Sequence, residues 1–510
     1  MSSYSHNSTF SEPWGIHWFR RDLRVAGNPG LRFNWQKTKG RTLGIFCFDS
    51  TFLSRPDFSH NRFQFFLETL DSLKKELQQQ GGDLLVVDSL PLKAFSQLLA
   101  HFDQNQIPRP QWISWNRDYE PFAKERDQKI SDFFRKQNLS FETFRDHLLF
   151  EPHEVLKTDR PGDFYQIYSP FARKWLQQLA TPEGQSRLKS QDKNHSYYSK
   201  LKKKKLDKGF QIQWKTLTSQ PHFPFQDSLQ YFLDQNKKHV TIPIPQAGSH
   251  IAFQKLQSFK NHLESYSEQR DFPAIAGTSQ LSIYLKNGSL TSAQIIQELN
   301  LGRLNWGSQS HAFIYLKEII WREFYYSILF HRPDVEHNSF LSQYSQLKWE
   351  NNKSHFEKWK QGETGFPIVD AGMRQLLTTG WMHNRIRMIV ASFLVKDLLI
   401  DWRWGENHFM KYLLDGDLAP NNGGWQWAAS TGCDPQPYFR IFNPWLQSAK
   451  FDPQGEYIKK YIPELREIPS RFLHDPDLLQ GHYIQPLVDH KTQKNRAILL
   501  FKSTPSHPKV

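Results

Sequence analysis

The hydrophobic spacing of the chain changes near residue 150, and that change limits what the chain can fold into. Before it, strand-like runs alternate with segments whose apolar residues recur at helical spacing. The strand-like runs are Gly15–Arg24, Leu43–Asp49, Asp83–Asp88 and Gln111–Asn116, and the helical segments are Asn61–Gln80, Pro91–Phe102 and Phe122–Gln137. This alternation predicts an α/β domain over residues 1–150, with helices on the faces of a parallel sheet.

Beyond residue 245 the apolar spacing is helical almost throughout, apart from the short strand-like run Ile498–Phe501. The helical segments are Leu256–Tyr266, Thr291–Leu299, His311–Phe330, Gly372–Thr379, Met382–Leu399 and Glu406–Leu413. Residues 245–510 are therefore predicted to form an all-α domain. Residues 151–244 show no clear period and read as a long interdomain linker with a lysine-rich insert, Lys202–Lys205. Such a run is more often a solvated loop than a DNA contact.

The charge balance favours an anionic partner. The 510 residues include 65 Lys and Arg against 51 Asp and Glu, which gives a net charge of +14 and a pI of about 9.4. Basic grooves bind polyanions by releasing counterions from phosphates, although a generally basic proteome or the lysine-rich loop would produce the same imbalance. The chain also contains 17 Trp, which could supply stacking surfaces for a ring system or for nucleobases.

Three further features indicate a soluble protein of a reducing compartment. Cys47 and Cys433 lie far apart, so the sequence has neither a disulfide framework nor zinc-ligand spacing. The N-terminal residues lack the apolar stretch of a signal peptide. The most apolar window, Ile386–Ile400, is too short and too charged to span a bilayer.

The segment Asp415–Pro444 concentrates carboxylates, paired amides and aromatic rings more densely than ordinary core or surface sequences do. Gly423 and Gly424 suggest that the backbone passes close to something large and flat, and Trp425 and Trp427 follow them directly. This combination favours a cofactor site. No GxGxxG follows the first strand-like run, so a standard dinucleotide-binding fold is not supported.

The segment Arg270–Leu290 has features of a phosphate site. Gly277, Thr278, Ser279 and Ser282 place small hydroxyls and backbone N–H groups where a helix could begin, and helix N-termini attract anions. Taken alone, the same residues fit a plain N-cap at Thr278 or Ser279 better.

The segment Leu316–Tyr326 combines charge with aromatic side chains. Glu318, Trp321 and Arg322 lie within five positions of one another and combine a buried-type aromatic face with charge. The alternative is an amphipathic helix with a core tryptophan and a surface ion pair between Glu318 and Arg322, four residues apart.

In the segment Thr364–Glu406, Asn384 and Met388 lie four residues apart, so on a helix they share one face and could meet the same ligand. Arg387 lies beside that face and could reach a carboxylate such as Asp415. The alternative is a buried helix with ordinary polar ends.

Four strings link these segments to a known family: HWFRRDLRVAGNPGL at residues 17–31, WNRDYEP at 115–121, GWMHNR at 380–385 and NNGGWQWAASTG at 421–432. Over nearly the whole chain, the sequence resembles the photolyase/cryptochrome family, and within it most closely the class I cyclobutane pyrimidine dimer photolyases. The resemblance implies an α/β antenna domain joined to a large all-α domain that holds a U-shaped FAD. It also implies light-dependent DNA repair, in which excited FADH⁻ donates an electron that opens the dimer and then returns.

The resemblance assigns a set of residues to the flavin by position. The implied cofactor-binding residues are Tyr266, Thr278, Ser279, Gln280, Leu281, Ser282, Arg322, Asn384, Arg387, Asp415, Gly416, Asp417 and Asn421. Asn421 falls where the family places a side chain against flavin N5. An amide suits a photolyase there, because a second negative charge beside FADH⁻ in a dry site would cost on the order of several kcal/mol.

The resemblance also implies a binding face for UV-damaged DNA. The implied residues are Arg270, Glu318, Trp321, Asn384, Arg385, Met388, Trp427 and Arg440, with Lys450 as a further candidate. Trp321 and Trp427 would stack on a flipped dimer, whose damaged pairing makes flipping cheaper. Glu318 and Asn384 would bond the base edges, and Glu318 would also stabilise the electron-bearing dimer.

Three tryptophans, Trp425, Trp402 and Trp349, match the family's electron route between flavin and surface, and they complete the implied catalytic set with Glu318 and Asn421. A second antenna chromophore is also implied. Folate-type members usually have an Asn-Glu pair after Tyr-Glu, whereas here Pro121–Ala123 follows Glu120. A deazaflavin, another flavin or an empty pocket would all be compatible. None of the implied roles requires a metal.

The sequence leaves other interpretations open. A signalling cryptochrome typically carries a long C-terminal extension, and a (6-4) photolyase typically has histidines where this chain has Asn384 and Met388. A DASH-type cryptochrome prefers single-stranded DNA and usually departs from the Trp321 and Trp427 pattern. A DNA-binding flavoprotein without enzyme activity would bind damaged DNA and form no product in light. We expect a cytoplasmic monomer of bacterial type that associates with the nucleoid when bound to DNA.

Overall fold

The N-terminal domain is built on one parallel sheet. The computed structural model describes residues 12–160, 162–189, 208–304 and 306–503, and its five strands pair in the order β3-β2-β1-β4-β5. The strands are β1 (Gly15–Phe19), β2 (Thr42–Phe48), β3 (Asp83–Asp88), β4 (Trp112–Asn116) and β5 (Phe141–Phe144). Gly15 of β1 lies opposite Thr42 of β2 and Trp112 of β4, so β1 is central. The predicted α/β domain is confirmed.

Helices connect these strands and cover the sheet: Pro29–Lys37, His60–Gln79, Pro91–Gln104 and Pro121–Lys136. The first of these helices and strand β5 were not predicted. The helix begins after Asn28, whose side chain accepts the Leu31 N–H at 3.0 Å, and Pro29 occupies its first position. Strand β5 has only four residues, mostly half-buried, so its apolar pattern is too short to recognise.

Residues 151–244, predicted as an interdomain linker, contribute helices to both domains: Tyr168–Ala180, Lys208–Thr218 and Leu229–Lys237. Trp214 packs against Trp14 in the N-terminal domain, with ring centroids 6.0 Å apart. Trp175 packs in the helical domain, where its indole N–H donates to Glu323 at 2.6 Å. The Lys202–Lys205 run lies outside the described residues.

The C-terminal domain is helical, as predicted. Its helices are Ser249–Lys260, Tyr266–Gln269, Ser282–Asn287, Ser292–Glu298, His311–His331, Lys353–Gln361, Pro367–Thr379, Asn384–Ser392, Trp402–Tyr412, Leu418–Ala429, Pro444–Phe451, Glu456–Tyr461, Pro476–Leu479 and His490–Lys502, with a π-helical turn at Phe393–Asp397. The strand-like interpretation of Ile498–Phe501 is wrong. Ala497 and Phe501 are both buried, four residues apart, which is helical spacing.

The two domains meet at a close backbone contact. A Cβ at Gly288 would lie 1.8 Å from the carbonyl oxygen of Arg21, and Gly288 has a φ of +75°, so glycine is needed there. The Gly288 carbonyl accepts a hydrogen bond from buried Arg24 at 3.0 Å, and Arg24 also pairs with Asp146. This contact holds Arg21 and the helix before Gly288 side by side. Across the described ranges, no helix combines the length and apolar character needed to cross a bilayer.

Candidate functional site

Asp417 is the centre of a buried charged network between the two domains. Its carboxylate accepts hydrogen bonds from the Tyr326 hydroxyl at 2.7 and 2.9 Å, from Arg21 Nη2 at 2.9 Å and from Lys286 Nζ at 3.2 Å. Arg322 Nη2 lies 3.9 Å from the same carboxylate. The N-terminal domain thus supplies one of the cations that surround a predicted cofactor residue.

These cations keep Asp417 ionised. Burial by itself would raise the pKa of the Asp417 carboxyl, but Arg21, Lys286 and Arg322 hold that pKa well below its usual range. Burial and the charge of Arg21 lower the pKa of the adjacent His147 well below its usual value, so that ring is neutral at pH 7. Removing the Asp417 charge would take one carboxylate away from three buried cations, of which Arg21 and Lys286 would keep Glu120.

One donor in this network has no partner. Arg322 Nη1 donates to the His147 backbone carbonyl at 3.0 Å, whereas Nη2 is buried without a hydrogen bond within the described ranges. A buried N–H group that lacks a partner is rare and costly. Phosphate or carbonyl oxygens would satisfy it, so the arrangement around Arg322 fits a flavin nucleotide.

A helix begins within the predicted segment, at Ser282 after Leu281, so the alternative of a plain N-cap at Thr278 or Ser279 is wrong. Helix Ser282–Asn287 begins at Ser282, so its first N–H groups have no partner within the helix. The segment before this helix packs against neighbouring helices. A Cβ at Gly277 would lie 2.6 Å from Gln269 Cβ, and the Tyr315 hydroxyl donates to Ser279 Oγ at 3.0 Å. This segment, which also contains Thr278, Gln280 and Leu281, therefore offers hydroxyls and amides to an anion.

Arg387 reaches Asp415, as the sequence suggested. Arg387 Nη2 donates to the two carboxylate oxygens of Asp415 at 2.8 and 3.1 Å, and its Nε donates to the Met382 carbonyl at 2.8 Å. The carboxylate is buried and the guanidinium is partly exposed. Gly416 follows, and a Cβ there would lie 2.6 Å from Arg62 Nη1, so this turn is held against the N-terminal domain.

Glu318 pairs with Arg270 rather than with Arg322. Arg270 Nη1 donates to Glu318 at 2.8 Å, while Arg322 points toward His147. The surface ion pair between residues four apart on this helix is therefore not formed. Arg270 also lies 5.3 Å above the Tyr266 ring, which places three predicted site residues together.

Trp321 is stacked face to face on Tyr168, with ring centroids 3.7 Å apart and planes 2° from parallel. Tyr168 is itself anchored, because its hydroxyl donates to the Lys317 carbonyl at 2.9 Å and its N–H donates to Asp434 at 3.0 Å. This stack fixes the plane of the Trp321 ring. Trp427, the other predicted stacking residue, is half-buried against the helical core.

Asn384 and Met388 share a helix face, as predicted. Asn384 Nδ2 lies 3.9 Å from Met388 Sδ. Asn384 is exposed and Met388 is half-buried, so this face is open to a ligand rather than part of a buried helix.

The flat group next to Gly423 belongs to the protein itself. A Cβ at Gly423 would lie 2.0 Å from the Tyr325 ring, whereas a Cβ at Gly424 would meet no atom within 4 Å. The interpretation that both glycines face a bound flat group is therefore corrected at Gly423. Only the exposed Gly424 leaves open space.

Asn421 is oriented by a neighbouring helix. Its Nδ2 donates to the Glu406 backbone carbonyl at 3.2 Å. The Glu406 side chain accepts from Asn422 Nδ2 at 3.0 Å, and burial raises the pKa of the Glu406 carboxyl to about 8. A neutral acid thus lies behind Asn421 at pH 7.

Replacing Glu406 with glutamine should make the protein more stable than wild type at pH 8 and leave it nearly unchanged at pH 5. The folded protein keeps the Glu406 proton up to about pH 8, while the unfolded chain releases it near pH ~4.3, so stability falls as pH rises through that window. Thermal unfolding between pH 5 and 8 measures this, with the exposed Glu467→Gln as control. A melting-temperature difference that does not grow with pH would contradict a protonated Glu406.

Two of the three predicted chain tryptophans lie deep in the helical core. Trp402 and Trp425 are 0 % and 2 % exposed, and Trp349 is partly buried, with its ring centroid 6.1 Å from that of Phe501. The ring neighbours of Trp425 are Phe409 at 4.9 Å and Trp359 at 6.1 Å. The three tryptophans therefore go from the buried core, at Trp425 and Trp402, to the partly exposed edge of the domain, at Trp349. Trp359, a neighbour of Trp425, was not indicated by the sequence.

Among the described residues, the Arg440 side chain makes no contact with the other predicted DNA contacts, whereas Lys450 shares the Phe451 ring with Arg385. The backbone N–H of Arg440 donates to the Pro437 carbonyl at 2.9 Å, and Lys450 Nζ lies 5.2 Å from the Phe451 ring centroid. Arg385, by contrast, pairs with Asp271 at 2.8 Å, next to Arg270.

Sequence reasoning missed Arg21, Lys286, Tyr326 and Tyr168. Arg21 and Lys286 lie in quoted motifs, but only the domain contact brings them to Asp417. Tyr326 lies four residues after Arg322, and that spacing could have placed both on one helix face. Tyr168 lies in a segment without periodicity, so no signal connected it to Trp321.

Two protein-family models match the chain. Residues 15–189 match the model described as DNA photolyase, and residues 315–503 match the FAD binding domain of DNA photolyase. The deoxyribodipyrimidine photo-lyase of Alkalihalophilus pseudofirmus is 37 % identical over 502 residues, 95 % of this chain and 97 % of that protein. The deoxyribodipyrimidine photo-lyase of Escherichia coli is 34 % identical over 95 % of this chain and 98 % of its own.

Two solved photolyase structures are similar to this chain over nearly its whole length. A class III photolyase from Agrobacterium tumefaciens has a TM-score of 0.77 at 31 % identity, covering 98 % of this chain and 99 % of its own. A photolyase from Sulfolobus tokodaii that contains two FAD molecules has a TM-score of 0.73 at 30 % identity, covering 96 % and 99 %.

Proposed function

The chain belongs to the DNA photolyase family, and we infer that it is a light-dependent DNA repair enzyme that splits cyclobutane pyrimidine dimers by electron transfer from reduced FAD. One observation supports this assignment most strongly. Within nine residues, the helix His311–His331 carries Glu318 and Trp321 toward Arg270 and Tyr168, and Arg322 and Tyr326 toward Asp417. A single rigid element would thus position both substrate and cofactor.

FAD is the cofactor, and when bound it supplies the electron that opens the cyclobutane ring and recovers it afterwards. We propose that Arg322 and the Thr278–Ser282 segment bind its oxygens, because Arg322 Nη2 is buried without a hydrogen-bond partner among the described residues. Asp415, paired with Arg387, and Asp417 would hold the ring-system donors. Asn421 would present an amide to the flavin, fixed by its hydrogen bond to Glu406.

The proposed substrate surface uses the other side of the same helix. Trp321 and Trp427 stack on the dimer, while Glu318 and Asn384 bond its polar edges. Arg270, Arg385 and Arg440 contact phosphates, and Met388 gives a soft apolar contact beside Asn384. Glu318 remains partly exposed beside Arg270, where a flipped base can reach it.

Trp321→Ala should weaken binding of dimer-containing DNA by ~1–3 kcal/mol, the usual value of one base–aromatic stack, and leave flavin content unchanged. Dark binding titrations with oligonucleotides that do or do not contain a dimer measure the effect. Trp321→Phe keeps a stacking ring and should recover most of the affinity. Loss of flavin from Trp321→Ala would place this residue in the cofactor site instead.

Three further assignments concern the oligomeric state, the place of action and a second chromophore. We propose that the protein acts as a monomer on UV-damaged DNA in the cytoplasm, on the nucleoid when bound. We also propose a second chromophore in the α/β domain. Glu120 and the helix Pro121–Lys136 follow Tyr119 directly, and Glu120 is engaged with Arg21, which disfavours a folate at this point. A second flavin, as in the Sulfolobus tokodaii protein, fits better.

A further inference from the structure

Asp271 lies between the two arginines proposed to hold the DNA backbone. Arg385 Nη2 is 2.8 Å from an Asp271 carboxylate oxygen, and Arg270 Nε is 3.9 Å from the same oxygen. Arg270 is also bonded to Glu318 at 2.8 Å, and Arg385 lies 4.3 Å from the Phe451 ring centroid. Asp271 is not among the residues implied by the family resemblance.

The charges of the four side chains in this cluster sum to zero. Arg270 and Arg385 contribute two positive charges, and Asp271 and Glu318 contribute two negative charges. The neighbouring His383 adds none at pH 7, because burial lowers its pKa to about 4. The Asp271 and Glu318 side chains remain 36 % exposed, while the Arg270 and Arg385 side chains are only 19 % and 18 % exposed. A phosphate that approaches from solvent therefore meets carboxylates as readily as cations.

We propose that Asp271 is a specificity-determining residue that restrains Arg270 and Arg385 until a lesion is bound. Undamaged duplex offers these arginines only phosphates, so it must compete with Asp271 and binds weakly. Damaged DNA also offers the flipped dimer, whose contacts with Trp321 and Glu318 offset that competition. Because the dimer also draws Glu318 away from Arg270, Arg270 is left to neutralise Asp271 on damaged DNA, and Asp271 therefore lowers binding to undamaged DNA more than binding to damaged DNA.

This inference rests on the proposed DNA-binding face, and its physical basis is simple. Removing the Asp271 charge frees Arg385 for a phosphate contact, because Arg270 keeps its bond to Glu318, and that new contact adds about one to the salt dependence of binding. A carboxylate some 7 Å from a phosphate, in a partly solvated site, opposes binding by roughly fivefold. The effect should be larger on undamaged DNA than on damaged DNA.

The test compares wild type with Asp271→Asn in dark binding titrations on one duplex, with and without a single thymine dimer, over a range of salt. We expect Asp271→Asn to bind undamaged duplex about fivefold more tightly, with a salt slope steeper by about one. The affinity ratio between damaged and undamaged duplex should fall. Asp271→Glu keeps the charge and should restore the ratio. Glu467→Gln removes an equal charge at an exposed position and should leave the ratio unchanged.

Unchanged binding of undamaged duplex by Asp271→Asn would overturn the proposal. Weaker binding of both DNAs would also overturn it, because Asp271 would then only position the arginines. Light-dependent repair by wild type, measured on the same dimer duplex, tests the proposed function separately. Arg270→Ala with Arg385→Ala tests the DNA-binding face, since unchanged affinity in that double variant would reject the face itself.

Discussion

Asp417→Asn should lower the free energy of unfolding by ~3–5 kcal/mol, the usual cost of breaking a buried ion pair from one side. Arg21, Lys286 and Arg322 would lose their common partner in a buried site. Because the folded-state pKa of Asp417 lies well below its usual range, the lost stability is present at neutral pH and disappears only as pH falls through that low value. Urea unfolding of the flavin-free protein at pH 7, followed by circular dichroism, measures it.

Asp334→Asn is the matched control, because Asp334 is paired with Arg332 at 2.8 Å and both are substantially exposed. Exposed pairs contribute ~0–1 kcal/mol, so this variant should unfold nearly as wild type does. Equal losses in the two variants would show that Asp417 has no special role. Loss of flavin from Asp417→Asn while the fold remains intact would place Asp417 mainly in the cofactor site.

Trp349→Phe should abolish light-driven reduction of oxidised FAD yet leave repair intact once the flavin has been reduced chemically. Trp349 is the partly buried member of the proposed chain, so it would exchange electrons with solvent, whereas Trp402 and Trp425 are buried. A phenylalanine keeps the packing but oxidises far less readily. Flash illumination of the oxidised protein with an added reductant, followed by flavin absorbance, measures this.

Trp359→Phe is the control for that experiment. Trp359 is buried 6.1 Å from Trp425, and its indole N–H donates to the Val390 carbonyl at 3.2 Å. We expect photoreduction to survive this change. If Trp359→Phe stops photoreduction and Trp349→Phe does not, the electron route passes through Trp359, and the assignment of Trp349 is wrong.

The sequence was sufficient to predict the structure where the contacts are local. The pair Asn384–Met388 lies on one helix, and its spacing of four residues fixed its geometry, whereas the contact between Arg387 and Asp415 spans 28 positions. The alternation of strands and helices follows from short-range periodicity. These features depend on neighbours within a few turns of the chain.

Contacts between residues that are far apart in the sequence could not be predicted in the same way. Arg21 reaches Asp417 across 396 positions of sequence, and the stack of Tyr168 on Trp321 joins a segment without period to a helix. The alternative in which Glu318 pairs with Arg322 is wrong, because the fold brings Arg270 to Glu318. Gly423 was misread for a related reason, since its flat neighbour is Tyr325 from another helix.

One measurement tests the central assignment most directly. Purified protein, reduced anaerobically, is mixed with an oligonucleotide that contains a single thymine dimer, and the ultraviolet absorbance of thymine is followed under blue light and in the dark. We predict recovery of absorbance only in light, and at a much lower rate for Glu318→Ala, which removes the proposed bond to the dimer. No recovery in light, from protein that contains reduced FAD and binds the oligonucleotide, would contradict the assignment.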